Sequence, residues 1–251
     1  MAQKDMTKLS VNVNKIATLR NTRSNGIPDV VRLSAIALDA GADGITVHPR
    51  PDERHIRPAD VVEIGRLLTR YPQAEFNIEG NPFHGLVEHC ERVHPNQATL
   101  VPDAREAMTS NHGWNLVELG RAERAALASA IERLHRAGCR VSLFLDPIES
   151  LPALAKELGA DRIELYTEPY AVRFAAGDKS AVLPYTKAAA AARAARLGVN
   201  AGHDLNLHNL ALFLEQAGPI DEVSIGHALI ADALEFGLGD TVKRYRAICA
   251  R

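Results

Sequence analysis

One phrase in this chain occurs twice. Ala-Gly-Ala-Asp-Gly-Ile-Thr-Val at 40–47 returns as Leu-Gly-Ala-Asp-Arg-Ile-Glu-Leu at 158–165. Shorter cousins stand at 137–141 (Ala-Gly-Cys-Arg-Val) and 197–200 (Leu-Gly-Val-Asn). Each reads as a helix stopped by a glycine that feeds directly into a β-prone run. Helices running straight into strands imply alternating β and α elements, hence a parallel sheet. Eight short β-prone runs are legible, near 9–13, 43–48, 74–79, 97–101, 139–145, 161–166, 198–201 and 222–226. Helical patterns fall between them at 28–40, 58–70, 118–137, 148–158, 184–197, 207–217 and 240–250, and another helix opens after Gly226. Eight alternations favour an α/β fold closed into a (β/α)8 TIM barrel. No G-x-G-x-x-G follows the first run, which removes the main argument for an open dinucleotide-binding sheet. The 251 residues suit one such domain over 1–251, and no Ser/Gly-rich linker divides them.

Ionisable residues stand at or beside the ends of these runs: His48, Glu79, Glu164, His203 and His227. In a (β/α)8 barrel the loops after the strands build the active site, so these side chains are expected on one face. A carboxyl at such a mouth, Glu79, is partly desolvated, which raises its pKa and suits it to acid–base work. His48 is a natural proton shuttle. Its loop also carries Arg50, Arg54 and His55, and the planar arginine fork matches phosphate oxygens. Ala201 and Gly202 before His203 let the backbone approach a ligand closely. Gly226 and His227 open a helix after the last strand, a recurrent phosphate site in this fold. Arg20 and Arg23 after the first strand are candidates for a second anionic contact. The 103–117 stretch is a long polar loop that reads as a lid.

Composition narrows the function. A net charge of −2 argues against a nucleic-acid surface. The opening residues 1–8 are polar and lack the core of a signal peptide, and no apolar run approaches the ~20 residues of a membrane span. Three widely spaced cysteines, Cys90, Cys139 and Cys249, support neither a disulfide framework nor a zinc ribbon, and reduced thiols point to a cytoplasmic protein. Only Lys15 among the lysines lies near a strand's C-terminal end, so a Schiff-base lysine is poorly supported. There is no H-x-H pair, H-E-x-x-H or clustered Asp motif, and no metal is expected.

Val-Asn-Val-Asn-Lys-Ile-Ala-Thr-Leu-Arg-Asn, Gly-Ala-Asp-Gly-Ile-Thr-Val-His-x-Arg, Arg-His-Ile, Asn-Ile-Glu, Leu-Val-Pro, Val-Ser-Leu-Phe, Val-Asn-Ala-Gly-His and Ile-Gly-His-Ala follow one another along nearly the whole chain. Together they resemble the pyridoxine 5′-phosphate synthase family. The resemblance implies a (β/α)8 barrel with extra helices that assembles as a homo-octamer and uses no metal or organic cofactor. The implied reaction condenses 3-amino-2-oxopropyl phosphate with 1-deoxy-D-xylulose 5-phosphate to pyridoxine 5′-phosphate, releasing phosphate and water. Carried over by the resemblance, His48 and Glu79 are acid–base residues and His203 is a proton donor. Asn12 binds substrate, and Arg23 contacts the amino-ketone phosphate. Arg50, His55 and Thr109 contact deoxyxylulose phosphate, and Gly226 with His227 hold phosphate. Glu164 matches an interior glutamate that handles protons or water. Three places depart from the family's pattern. Asn14-Lys15 stands where Asp-His is frequent, and Asp204 where a glycine follows the histidine. Glu168-Pro169 replaces a more open segment after the sixth strand. Two other readings are another phosphosugar barrel, an isomerase or epimerase using Glu79 and His48, and a phosphometabolite-binding barrel without activity.

Overall fold

The computed structural model describes residues 6–250; the polar residues 1–5, which belong to the opening read above, and residue 251 lie outside the described residues. Eight parallel strands close into a barrel in chain order: β1 (Lys8–Asn12), β2 (Gly44–Val47), β3 (Glu75–Gly80), β4 (Gln97–Leu100), β5 (Arg140–Leu145), β6 (Arg162–Tyr166), β7 (Gly198–Gly202) and β8 (Glu222–Ile225). The helices around them are α1 (Asn14–Asn21), α2 (Val30–Asp39), α3 (Pro58–Leu68), α4 (Leu86–Val93), α5 (Arg121–Arg136), α6 (Leu151–Glu157), α7 (Glu168–Ala175), α8 (Leu183–Ala194), α9 (Leu210–Gln216), α10 (His227–Phe236) and α11 (Leu238–Cys249). The alternation read from the sequence is therefore a closed (β/α)8 barrel.

Each strand alternates. Leu9, Val11, Ile45, Val47, Phe76, Ile78, Leu143, Ile163, Leu165, Val199 and Val223 turn outward into one apolar cluster with the helices. The intervening residues turn inward, and most are polar: Ser10, Thr46, Asn77, Thr99, Ser142, Glu164, Asn200 and Ser224, all buried. Parallel strands covered on both faces usually run apolar throughout, and barrel interiors are usually filled by Val, Ile and Leu. This barrel instead carries hydrogen bonds through its centre. Ser10 Oγ and Thr46 Oγ1 lie 2.6 Å apart, and Thr99 Oγ1 donates to Asn77 Oδ1 at 3.0 Å. The register pairs Glu79 with Thr99, and Gly202 with both Tyr166 and Ser224, which brings the strand tips to one level.

The C-cap glycines behave as the repeat implies at Gly41, Gly138 and Gly159, with φ of 100°, 84° and 97°. At the fourth copy the left-handed residue is Arg196 (φ 59°), and Gly198 already belongs to β7. A Cβ on Gly198 would stand 2.7 Å from the Arg162 side chain, so this glycine answers to packing and not to the turn. Three helices escape the sequence reading: α1, α4 and α7. The first two are short, and α4 starts after the left-handed Gly85 (φ 99°). The third begins at Glu168-Pro169, where proline fits the first turn of a helix, so the segment after β6 is helical. The long loop is also tighter than its polarity suggests. Trp114 Nε1 donates to Leu100 O at 2.9 Å, and a Cβ on Gly113 would stand 2.4 Å from the β5 backbone. Only the part before Gly113 overhangs the barrel.

Candidate active site

The C-terminal ends of the strands surround a cavity of about 480 Å³. Asn12, Asn14, Lys15, His48, Arg50, His55, Glu79, Thr109, His203, Asp204, Gly226 and His227 all line it. Three of the residues singled out in the sequence do not. Glu164 lies beneath, 1% exposed, with no hydrogen-bond partner on either oxygen among the described residues. Arg23 is exposed on the turn after α1 and outside the lining. Its neighbour Arg20 is buried, paired with Asp60 through both terminal nitrogens and donating to His55 O at 3.0 Å. Arg20 therefore fixes the β2 loop to α3 and is not free for an anion.

Glu79 is 4% exposed and only loosely held. Asn12 Nδ2 and Ser224 Oγ donate to it at 3.4 Å each, and His48 Nδ1 lies 3.9 Å away. Burial, and then the neighbouring Asp103 carboxylate, push its pKa up to about 8, against the opposing pull of Arg50 and Ser224. The carboxyl is therefore protonated at neutral pH and close to its titration point, as an acid–base group should be. His48 moves the other way. Burial, Arg50 and the nearby histidines hold it well below the usual imidazole range. A polar relay sets its place: Asn14 N donates to Asn12 Oδ1 at 3.0 Å, and His48 N donates to Asn14 Oδ1 at 2.9 Å.

His55 is pushed down to about 4, by burial first and Arg50 second. Its Nδ1 accepts from Ile56 N at 2.9 Å, which leaves the proton of the neutral ring on Nε2. His203 packs against Phe144 and Tyr166 at 5.0 and 5.8 Å between ring centroids. Burial lowers its pKa while Asp204 opposes that, and its Nδ1 is buried without a partner among the described residues. His203 and Asp204 both have left-handed backbones, φ 77° and 57°. Two successive non-glycine residues there are unusual and store strain, which the surroundings must hold. Thr167 Oγ1 donates to Gly202 O at 2.6 Å and also to His203 O, and Asn209 Nδ2 donates to Asp204 O at 3.1 Å. Tyr185 OH donates to Tyr166 O and Tyr170 OH to Asn209 O, so the aromatic layer under α7–α9 supports this turn.

Anion-binding features flank these groups. The helix α10 opens at Gly226 without a side-chain cap, and Gly226 and His227 line the cavity, which places this uncapped helix end at its wall. A Cβ on Gly226 would stand 3.1 Å from Asn12, so any larger residue there would press on that side chain. Lys15 in the first turn of α1 and Arg54 add positive charge at the rim. Arg50 donates to Ala107 O at 3.0 Å and to Asp103 Oδ2 at 2.5 Å. Sequence reasoning missed Asp103, Ser110 and Ser224. Ser224 was findable, because it faces the same way as Gly226 along β8. The first two carry no local signal. Among the described residues no cluster of three or more His, Cys, Asp or Glu is arranged to hold a metal ion, and no helix is long and apolar enough to cross a membrane.

Known proteins share this sequence throughout. The family described as pyridoxal phosphate biosynthesis protein PdxJ matches residues 9–251. A pyridoxine 5′-phosphate synthase of Porphyromonas gingivalis is 51% identical over 241 residues, covering 96% of this chain and 98% of the relative. One from Albidiferax ferrireducens is 52% identical over 247 residues, covering 95% and 96%. Among solved structures, thiamine phosphate pyrophosphorylase from Pyrococcus furiosus aligns with a TM-score of 0.60 at 15% identity over 98% of this chain and 96% of that one. Tryptophan synthase from M. tuberculosis, in an aminoacrylate-bound form, aligns with 0.66 at 12% identity over 99% and 94%. At those identities the structural likeness bears on the barrel alone. The sequence matches reach further, and with them the chain belongs to the PdxJ family of pyridoxal phosphate biosynthesis proteins.

Proposed function

We propose that this chain is a pyridoxine 5′-phosphate synthase, condensing 3-amino-2-oxopropyl phosphate with 1-deoxy-D-xylulose 5-phosphate. The observation that carries the reading is Glu79 at the floor of the mouth, with a pKa near 8, between His48 and the barrel interior. Joining an amine to a ketone, expelling water and phosphate, and closing an aromatic ring require proton transfers at several atoms in turn. A group poised at its own titration point gives a proton in one step and takes one in the next. Glu79 protonates the departing hydroxyl and, as carboxylate, removes a carbon-bound proton. His48, neutral at working pH, is the partner base, and His203 donates from the opposite side of the cavity. Arg50 and His55 hold one phosphate at the β2 side, and the N-terminus of α10 holds the other against Asn12. In this reading the single domain spans 1–251 and works in the cytoplasm as a homo-octamer, without metal or organic cofactor.

Asn14, Lys15 and Asp204 all line the cavity, so the family departures bear on substrate grip directly. Incubation with both phosphates, read by mass spectrometry beside a Glu79→Gln control, tests the reading. Pyridoxine 5′-phosphate from wild type alone supports it. Product from both proteins removes the role given to Glu79. Binding of both substrates without product from wild type replaces the synthase with a binding barrel.

A further inference from the structure

Asp103 begins the loop after β4 and is 3% exposed, although residues 104–109 that follow it lie largely at the surface. Its Oδ2 takes Arg50 Nη2 at 2.5 Å and the Ser110 hydroxyl at 2.6 Å. Ser110 is buried as well, and its oxygen lies 3.5 Å from Arg50 Nη2. Arg50 Nη1 donates to Ala107 O at 3.0 Å. The two ends of the overhanging stretch and its middle therefore meet on one carboxylate–guanidinium pair, 53 residues apart in sequence. The exposed remainder adds one tie to the β2 loop, from Arg54 to Met108. A guanidinium has five N–H donors. The loop engages Nη1 once and both N–H groups of Nη2, leaving Nε–H and one Nη1–H for a ligand.

We infer that Asp103 is a positioning residue: it clasps the Arg50 guanidinium to the 104–110 segment, so that the remaining N–H donors are aimed into the cavity only while that segment lies over the mouth. This rests on the reading of Arg50 as a phosphate contact. Bidentate and charge-assisted bonds fix direction as well as energy, and a long arginine side chain without them samples many rotamers. A phosphate reaching Arg50 then meets a guanidinium already held in place, which offers Nε–H and Nη1–H as two separate donors, and the segment that encloses the substrate is held by the same group that binds it. Binding and enclosure become one event.

Asp103→Asn keeps the shape and removes the charge, and Ser110→Ala takes away only the hydroxyl. Hydrogen exchange of the 104–110 amides, measured on the protein alone, reads the clasp without reference to any reaction. We expect exchange there to quicken on the order of ten- to a hundred-fold in Asp103→Asn, the usual worth of a buried charge-assisted hydrogen bond, and less in Ser110→Ala, with the barrel strands unchanged. The KM for deoxyxylulose phosphate should rise by a similar factor while the KM for the amino ketone stays put. Wild-type exchange in both variants overturns the clasp. Quickened exchange with both KM values moving together, or with neither moving, overturns the positioning role. If wild type makes no product, the synthase reading fails separately, and affinity for inorganic phosphate replaces the KM arm: weaker binding in Asp103→Asn supports the proposal and equal binding overturns it.

Discussion

Glu75 and Glu79 stand on the same face of β3, one at each end of the strand, and their carboxyls are treated in opposite ways. At the floor of the barrel Glu75 takes Lys8 on one oxygen and Arg140 on the other. Burial works against its charge, yet those two hydrogen bonds outweigh it and hold the pKa below the usual range. At the mouth Glu79 receives two long hydrogen bonds from neutral groups, and burial with Asp103 drives its pKa up to about 8. Glu79 is also the more enclosed of the two, with 5% of its side chain exposed against 15% for Glu75, so depth and partners push the two carboxyls apart together. A buried carboxylate with cations is a structural joint, and a buried carboxyl without them is a proton store.

The contrast is broken most sharply at Glu79. Glu79→Gln should lower turnover on the order of 10²- to 10⁴-fold, the usual share of an acid–base group, with the melting temperature kept or raised. Product assays and a thermal melt on the same sample check both halves. Glu75→Gln should do the reverse. It should leave turnover close to wild type and cost about 1–2 kcal/mol, less than a fully enclosed pair because Lys8 and Arg140 reach water. Urea denaturation measures it.

The same two residues separate in the pH dependence of stability. The folded Glu79 pKa lies above its unfolded value, so native protein holds the extra proton. Stability from this group is complete below about 4.3 and is lost as the pH rises towards about 8. Wild type should therefore weaken relative to Glu79→Gln across that window, by on the order of a few kcal/mol. His55 has the opposite sign. Its folded pKa is depressed to about 4, so its contribution is present above about 6.5 and is lost as the pH falls through 4. Unfolding free energies of wild type and variant at a series of pH values isolate the carboxyl. The smallest effect is expected one residue further out. Asp103→Asn removes the like charge beside Glu79, so the alkaline limb of the kcat profile should move to lower pH.

Much of this was visible in the sequence because strands write their two faces in alternation. Leu-Ser-Val-Asn, Glu-Phe-Asn-Ile-Glu and Arg-Ile-Glu-Leu already separate the apolar outside from the polar interior, and His48 and Glu79 keep the inward phase of β2 and β3, whereas His203 follows the inward Gly202 and reaches the cavity through a left-handed turn. Local chemistry also marked Gly41, Gly138 and Gly159 as helix stops. What escaped was non-local. Nothing around Arg20 or Arg23 tells which of them meets Asp60, and nothing around Asp103 announces Arg50. Gly198 looked like another stop because the letters match, while its cause is the Arg162 side chain beside it. The helices α1 and α4 open at Val13 and Gly85 without a side-chain cap, so no start signal marks them.

Infrared difference spectroscopy tests the central contrast most directly. The carbonyl stretch of a protonated carboxyl is recorded between pH 6 and 9 for wild type, Glu79→Gln and Glu75→Gln. The contrast predicts a component in wild type that fades around pH 8, persists in Glu75→Gln and is lost from Glu79→Gln, beside the band of Glu164, which burial also pushes up. A band that survives in Glu79→Gln with the same titration, or its absence from wild type at pH 6, would contradict it.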